Sequence, residues 1–273
     1  SDIKTLIALS PRGRIDRQKT LQRLTPEARR RVTVFCHPGE LAAHQRNWGG
    51  KVATIEEYST VCRGVGDIRD YIVVEAADRG FGGVFFLDDN VSFSLRLDDA
   101  KTPVVVNNDN FTVEAQEYIY SMMFDWVAEQ LDTYAVAALS YRPFNRDKMH
   151  DVQINGRFFS IWGLNIEQYL SQPVRFSDWP IKEDFALACG LRRAGLDNVV
   201  SYRYSFDKMT GANAAGGCSV YRTIENSNAE SQRLREEFPE YITLRTKKCT
   251  NWGGEMKDRE MIEVKLHLKG YKK

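Results

Sequence analysis

The 273-residue chain has no CxxC pair and no HxxxH or HExxH pattern, and no apolar run approaches the ~20 residues a membrane helix requires. Those absences exclude a zinc ribbon, a metalloprotease helix and a membrane-spanning class. Its cysteines, Cys36, Cys62, Cys189, Cys218 and Cys249, are odd in number and read as reduced thiols, mostly small core residues. An excess of charge of either sign is also missing. With 38 Lys and Arg against 37 Asp and Glu, the formal net charge is +1, so a polyanionic partner would have to be met by a local basic face. There is no repeat, low-complexity tract or clear linker, and no signal-peptide anatomy; a cytoplasmic protein, monomeric or a small homo-oligomer, is the expectation.

What the chain does have is the stretch Gly83-Val84-Phe85-Phe86-Leu87-Asp88-Asp89-Asn90, in which an apolar run ends in two carboxylates and an amide. A buried strand whose tip carries polar groups at the edge of a sheet has this pattern. Adjacent acids there repel unless a cation or donor lies between them, although such a pair can also cap a turn. Before it come apolar strands at 3–9, 32–36 and 52–55, with helical segments starting near Asp16, after His37-Pro38-Gly39-Glu40 and at 70–79. Four strands separated by helices predict a mostly parallel sheet with helices on both faces, and ligands then gather at the carboxyl ends of the strands. Later segments predict an exposed strand or loop at 93–99, a helix at 112–131, strands at 134–139, 157–162, 199–204 and 241–245, and helices at 180–194 and 226–237. The tail from Lys247 is basic.

Several groups are placed to do chemistry. Asp88, Asp89 and Asn90 supply hard oxygen ligands suited to Mg²⁺ or Mn²⁺ bridged to a substrate diphosphate. Arg12 and Arg14, in the short Ser10-Pro11-Arg12-Gly13-Arg14 loop after the first strand, are candidates for the same phosphates, as are Asp67 and Arg69 in Gly64-Val65-Gly66-Asp67-Ile68-Arg69. That last stretch is not a dinucleotide fingerprint, because Arg69 stands where a third glycine belongs. Glu183-Asp184 is the second acid pair. On a helix from Pro180, Asp184 shares a face with Leu187, Ala188 and Leu191, a position open to a partly buried general base or to a first-turn acid favoured by the helix dipole. The loop 211–219 is rich in small residues and could close over a ligand, and Tyr141, Phe144, Phe158, Phe159, Trp162 and Trp179 flank the acceptor side, where an aromatic could stack on a sugar or base.

Taken in order, Ser-Pro-Arg-Gly-Arg after a strand, Gly-Val-Gly-Asp-Ile-Arg entering a helix, a strand ending in Asp-Asp-Asn and a late Glu-Asp pair resemble a GT-A glycosyltransferase. More narrowly, the chain resembles the TET-associated glycosyltransferases of bacteriophages, relatives of the base J glucosyltransferase, over residues 3–195. The resemblance implies an α/β, GT-A (Rossmann-like) fold in one domain spanning 1–273, with a nucleotide-sugar half at 1–110 and an acceptor half at 111–273. It further implies metal-assisted transfer of a sugar from a UDP-sugar to the hydroxyl of 5-hydroxymethylcytosine in DNA, inside an infected bacterial host. Ser10, Arg12, Arg14, Asp67, Arg69 and Asp88 match positions around the nucleotide, Gly163 a position lining the donor sugar, and Asp88, Asp89 and Asn90 the metal motif for Mn²⁺ or Mg²⁺. Asp184, or else Glu183, matches the base for in-line attack with inversion. Asn90 departs from the acidic residue expected there, so Asp89 takes its place, the metal binds weakly until the donor arrives, or the chain depends on the ion less than its relatives; Asp207 and His267 are candidates for a third ligand. A glycan or protein acceptor, or a non-catalytic nucleotide- or DNA-binding module, are the alternatives.

Overall fold

The computed structural model describes residues 2–11, 14–16, 18–98, 101–145, 150–208, 223–249 and 258–269. Its centre is one large sheet in the order β3-β2-β1-β4-β9-β7-β10-β5-β6. The first strands, β1 (Thr5–Leu9), β2 (Val32–Cys36), β3 (Thr54–Glu57) and β4 (Gly83–Leu87), pair in parallel, with Leu9 level with Val34 and Leu87. Between β4 and the parallel pair β7 (Val136–Tyr141) and β10 (Asn198–Lys208) lies β9 (Trp162–Asn165), running antiparallel to β4 and β7. The strands β3, β2, β1, β4, β7 and β10 therefore run one way, and their carboxyl ends form one edge. β5 (Val91–Leu95) and β6 (Val104–Val105) complete that side.

Alternation along the strands divides the core into two layers. Ile7, Leu9, Val34, Phe85 and Leu87 pack with Tyr120, Met123, Phe124 and Val127 of α5 (Val113–Gln130), on the face also covered by α1 (Lys19–Arg23), α2 (Pro26–Arg29) and α3 (Leu41–Trp48). Leu6, Ala8, Phe35, Val84 and Phe86 point the other way, onto Ile68, Ile72, Val73 and Ala76 of α4 (Val65–Asp78), with α6 (Ile166–Leu170) and α7 (Glu183–Arg193) on the same face. A third cluster joins α7 to α8 (Ile224–Glu237) and to the hairpin of β11 (Ile242–Lys248) and β12 (Glu260–Leu266). No helix of the described residues is long and apolar enough to cross a membrane, and their four cysteines are unpaired.

Several expectations shift in detail. The exposed strand or loop expected at 93–99 is, over its first part, the buried strand β5 (Val91–Leu95), because β10 pairs with it on one side and β6 on the other. α4 starts at Val65 rather than residue 70; Gly66 lets its first turn press on the 3-10 turn Phe176–Asp178, where a Cβ would sit 2.2 Å from the Phe176 carbonyl oxygen. α7 starts at Glu183, three residues late, since Lys182 has a left-handed backbone (φ 62°) that a helix interior does not admit. The alternating 157–162 segment is mostly an approach to β9, interrupted by Ser160 at φ 62°. β8 (Val152–Ile154), β12 and α6 escape the sequence pattern; β8 borders the first half of β10, and a register shift between Ser201 and Ser205 hands the same strand edge to β5.

Candidate active site

β4 delivers Asp88, Asp89 and Asn90 to the carboxyl edge, and Thr20 at the start of α1 holds them there. The Thr20 hydroxyl donates to the Asp88 carbonyl (2.5 Å) and accepts from the Val91 amide (3.0 Å), while the Thr20 amide donates to the Asp89 carbonyl (3.1 Å). A fully buried threonine thus fixes the acidic turn from a point 68 residues away in the chain. The two carboxylates then diverge. Asp89 turns inward and receives the Arg14 guanidinium at 2.8 Å, with both side chains largely covered. Burial pushes its carboxyl above the ordinary value, and Arg14 opposes this. Asp88 remains more open, 3.5 Å from the Lys208 ammonium, and Asn90 is half-buried beside it.

Lys208 is brought in by β10, whose last residues lie level with the start of β5. Its neighbour Asp207 is held by the Arg142 guanidinium from the 3-10 turn Arg142–Phe144 that follows β7. From Lys208 a line of ring contacts leads to the second acid pair. The Lys208 ammonium lies 6.0 Å from the Phe159 ring centre, and the Arg157 guanidinium sits 5.3 Å from Phe159 and 4.9 Å from Phe185, the residue after Asp184. These contacts connect Asp88 to Phe185 at the start of α7.

Glu183 and Asp184 have different surroundings. Glu183 is buried and ion-paired to Arg69, whose guanidinium stacks 4.8 Å from Trp162 and 5.5 Å from Phe86. Arg69, matched above to a nucleotide position, is thereby buried under the site and engaged with α7. Asp184 is half-buried, accepts the Phe185 amide at 2.9 Å, and has no cation paired with it among the described residues. Asp67 is half-buried at the start of α4 and accepts from the Arg63 amide (2.8 Å) and Nε (2.9 Å). Burial works against its charge, yet those Arg63 bonds keep its carboxyl below the ordinary range.

Ser10 lies half-buried at the end of β1, on the same edge. Arg12 and the loop 211–219 lie outside the described residues. Gly163 sits inside the sheet, level with Phe85 and Ala137, and a Cβ there would meet Val127 Cγ1 at 2.5 Å. The side it leaves open is filled by α5, which accounts for a glycine on packing alone. Asp207 is engaged with Arg142, and His267 with the Thr243 hydroxyl at 2.8 Å on the β11–β12 hairpin. A cleft of about 430 Å³, lined by Gln153, Arg157, His267 and Lys269 among others, contains none of these carboxylates.

Among the described residues no three His, Cys, Asp or Glu side chains converge as a metal cage. The open oxygens of Asp88 and Asn90 nevertheless suit a hard cation that takes its remaining ligands from substrate phosphates and water. Thr20, Arg157 and Lys208 went unnoticed in the sequence. Lys208 had a signal, a charged Asp207-Lys208 ending an apolar strand; Thr20 had none, since its role depends on a contact across 68 positions.

The architecture matches known sugar transferases. The structure of Staphylococcus aureus TarS 1–349 in complex with UDP-GlcNAc aligns with a TM-score of 0.51 at 11% identity, covering 86% of this chain and 66% of that one. Glucosyl-3-phosphoglycerate synthase from Mycobacterium tuberculosis, in complex with Mn²⁺, UDP and glucosyl-3-phosphoglycerate, aligns at 0.47 and 10% identity, covering 90% and 85%. No curated protein matches the sequence significantly. The fold is that of the GT-A nucleotide-sugar transferases, and since residues 6–217 match the TET-Associated Glycosyltransferase family, the chain belongs to that family and is a glycosyltransferase.

Proposed function

We propose that this enzyme moves a sugar from a UDP-sugar to the hydroxyl of 5-hydroxymethylcytosine in DNA, with Asp184 as the base and inversion at the sugar carbon. The observation that carries the reading is the division of labour between the acid pairs. Asp88 and Asn90 are half-buried at the tip of β4, and Glu183 is held by Arg69, which leaves Asp184, next to Phe185 at the end of the Lys208–Phe159–Arg157–Phe185 line, as the carboxylate of its pair with no cation paired to it among the described residues. The family description supports a DNA acceptor, and the UDP-GlcNAc complex of TarS supports the donor.

In this reading Asp67, kept ionised by Arg63, accepts hydrogen bonds from nucleotide hydroxyls. Asp184 takes the proton of the acceptor hydroxyl, whose oxygen bonds to the anomeric carbon as the bond from that carbon to the diphosphate breaks. The electron pair leaves on UDP, where Lys208 and Arg14 lie close enough to the acidic turn to offset charge on the departing phosphate. A Mn²⁺ or Mg²⁺ ion held by Asp88 and Asn90, with Asp89 reachable if Arg14 releases it, would supply further charge neutralisation.

Incubation with UDP-sugars and DNA containing or lacking 5-hydroxymethylcytosine, followed by nucleoside mass spectrometry, tests the acceptor. A hexose mass added only to the modified nucleoside is the expected result; transfer to glycans or proteins alone would replace it. Asp184→Asn should reduce transfer by at least about a hundredfold while UDP binding stays within about twofold. Full activity in that variant removes Asp184 as the base.

A further inference from the structure

Six aromatic residues lie on the acceptor side in the sequence, and burial separates them. Phe158, Trp162 and Trp179 belong to the core, and Tyr141 and Phe159 are partly covered, whereas Phe144 is 61% exposed. A lone exposed aromatic needs no explanation in itself. This one differs because the turn presenting it is fixed on both sides.

Just before it, Arg142 is ion-paired to Asp207. Just after it, Asn145 is fully buried and donates to the Ser140 hydroxyl (2.9 Å) and the Tyr202 carbonyl (2.7 Å), while the buried Arg96 guanidinium donates to the Asn145 carbonyl (2.7 Å). Underneath, the Phe144 ring meets Tyr141 edge to face, centroids 5.2 Å apart, and Tyr141 in turn packs on Phe159 and Phe206. Rigid anchoring of an exposed ring lowers the entropy lost when a flat partner stacks on it. The turn also stands on the carboxyl edge: Tyr141 is level with Phe206, Asp207 with Ser92 and Lys208 with Val91, directly after the acidic turn.

We propose that Phe144 is a stacking platform for a nucleobase of the acceptor, a binding residue on the acceptor side of the site. This rests on the DNA-acceptor reading above. A π-face open to solvent accepts any base, and Arg142, in the same turn and paired with Asp207, and Lys208, at the end of the neighbouring strand and paired with Asp88, are cations of this edge.

The test uses the whole protein and a single-stranded oligonucleotide containing one 5-hydroxymethylcytosine. Phe144→Ala should loosen oligonucleotide binding by roughly tenfold to a hundredfold and raise the acceptor KM, while UDP affinity measured by calorimetry is unchanged. Phe144→Tyr should restore binding, and Phe144→Leu, which keeps an apolar contact with Tyr141, should not. Phe144→Trp provides a direct readout, since its added fluorescence should be quenched by the oligonucleotide and not by a neutral oligosaccharide. Equal oligonucleotide binding by wild type, Phe144→Ala and Phe144→Leu overturns the platform and leaves the DNA-acceptor reading standing. Wild type that binds no oligonucleotide, yet binds UDP, overturns both.

Discussion

Asp89 and Arg14 form the contact on which the chemistry of the acidic turn depends. A carboxylate facing an arginine at 2.8 Å is not free to ligate a cation until the arginine moves, and Asp88, more exposed and 3.5 Å from the Lys208 ammonium, is the less tightly held of the two. The pH response of stability follows from the shift at Asp89. Its carboxyl is raised by burial first and by Asp88, with Arg14 working against both. A raised acid binds its proton more readily in the folded chain than in the unfolded one, so its contribution favours folding at low pH and declines as pH rises through the raised value. Relative to Asp89→Asn, wild type should therefore lose stability as pH rises from the ordinary carboxylate range, about pH 4, through the raised value, as measured by urea denaturation at stepped pH. A constant difference across that range would show that Asp89 titrates as it does in the unfolded chain.

The N-termini of α4 and α7 act as one unit. Gly66 lets α4 press against the Phe176–Asp178 turn, Arg69 reaches from α4 to Glu183, and Lys182 holds a left-handed conformation that starts α7 beside it. Removing one member of a buried ion pair leaves its partner charged and poorly solvated. Glu183→Leu should accordingly cost about 3–5 kcal/mol in urea unfolding, whereas the double variant Arg69→Met/Glu183→Leu should recover most of that loss. If Glu183 were the catalytic base, the double variant would be stable and inactive; with Asp184 as base, it retains measurable transfer. The two measurements together separate a structural Glu183 from a chemical one.

For the whole molecule the near balance of charge sets the kind of DNA binding to expect. At a net charge of +1, attraction must come from local cations such as Arg142, Arg157 and Lys208, some of which already face carboxylates. Binding of the 5-hydroxymethylcytosine oligonucleotide should therefore depend only moderately on salt, with log K against log salt falling at a slope of about −2 to −3, equivalent to a few phosphates. A slope near −7, found by fluorescence anisotropy across a salt series, would reveal a far broader basic surface. The mixed sheet makes such a local site possible, because β9 turns the chain back between β4 and β7 and so brings β7 and β10 to the edge where β4 ends.

The sequence by itself determined the strands β1, β2, β4 and β7, the long α5, the acidic tip of β4 and the family, since each is a local pattern of apolar run, turn or motif that a short window contains. It also placed Asp184 at the head of an inward-facing helix. Which acid of the second pair stays open was decided only in three dimensions, because Arg69 meets Glu183 across 114 positions and no periodicity encodes that contact. The same holds for Thr20 beneath the acidic turn and for Asp89 against Arg14, 75 positions apart. Phe144 has the same local signature as Phe158 and Trp162; tertiary packing buried those two and left it exposed, because its turn lies beyond the last paired residue of β7.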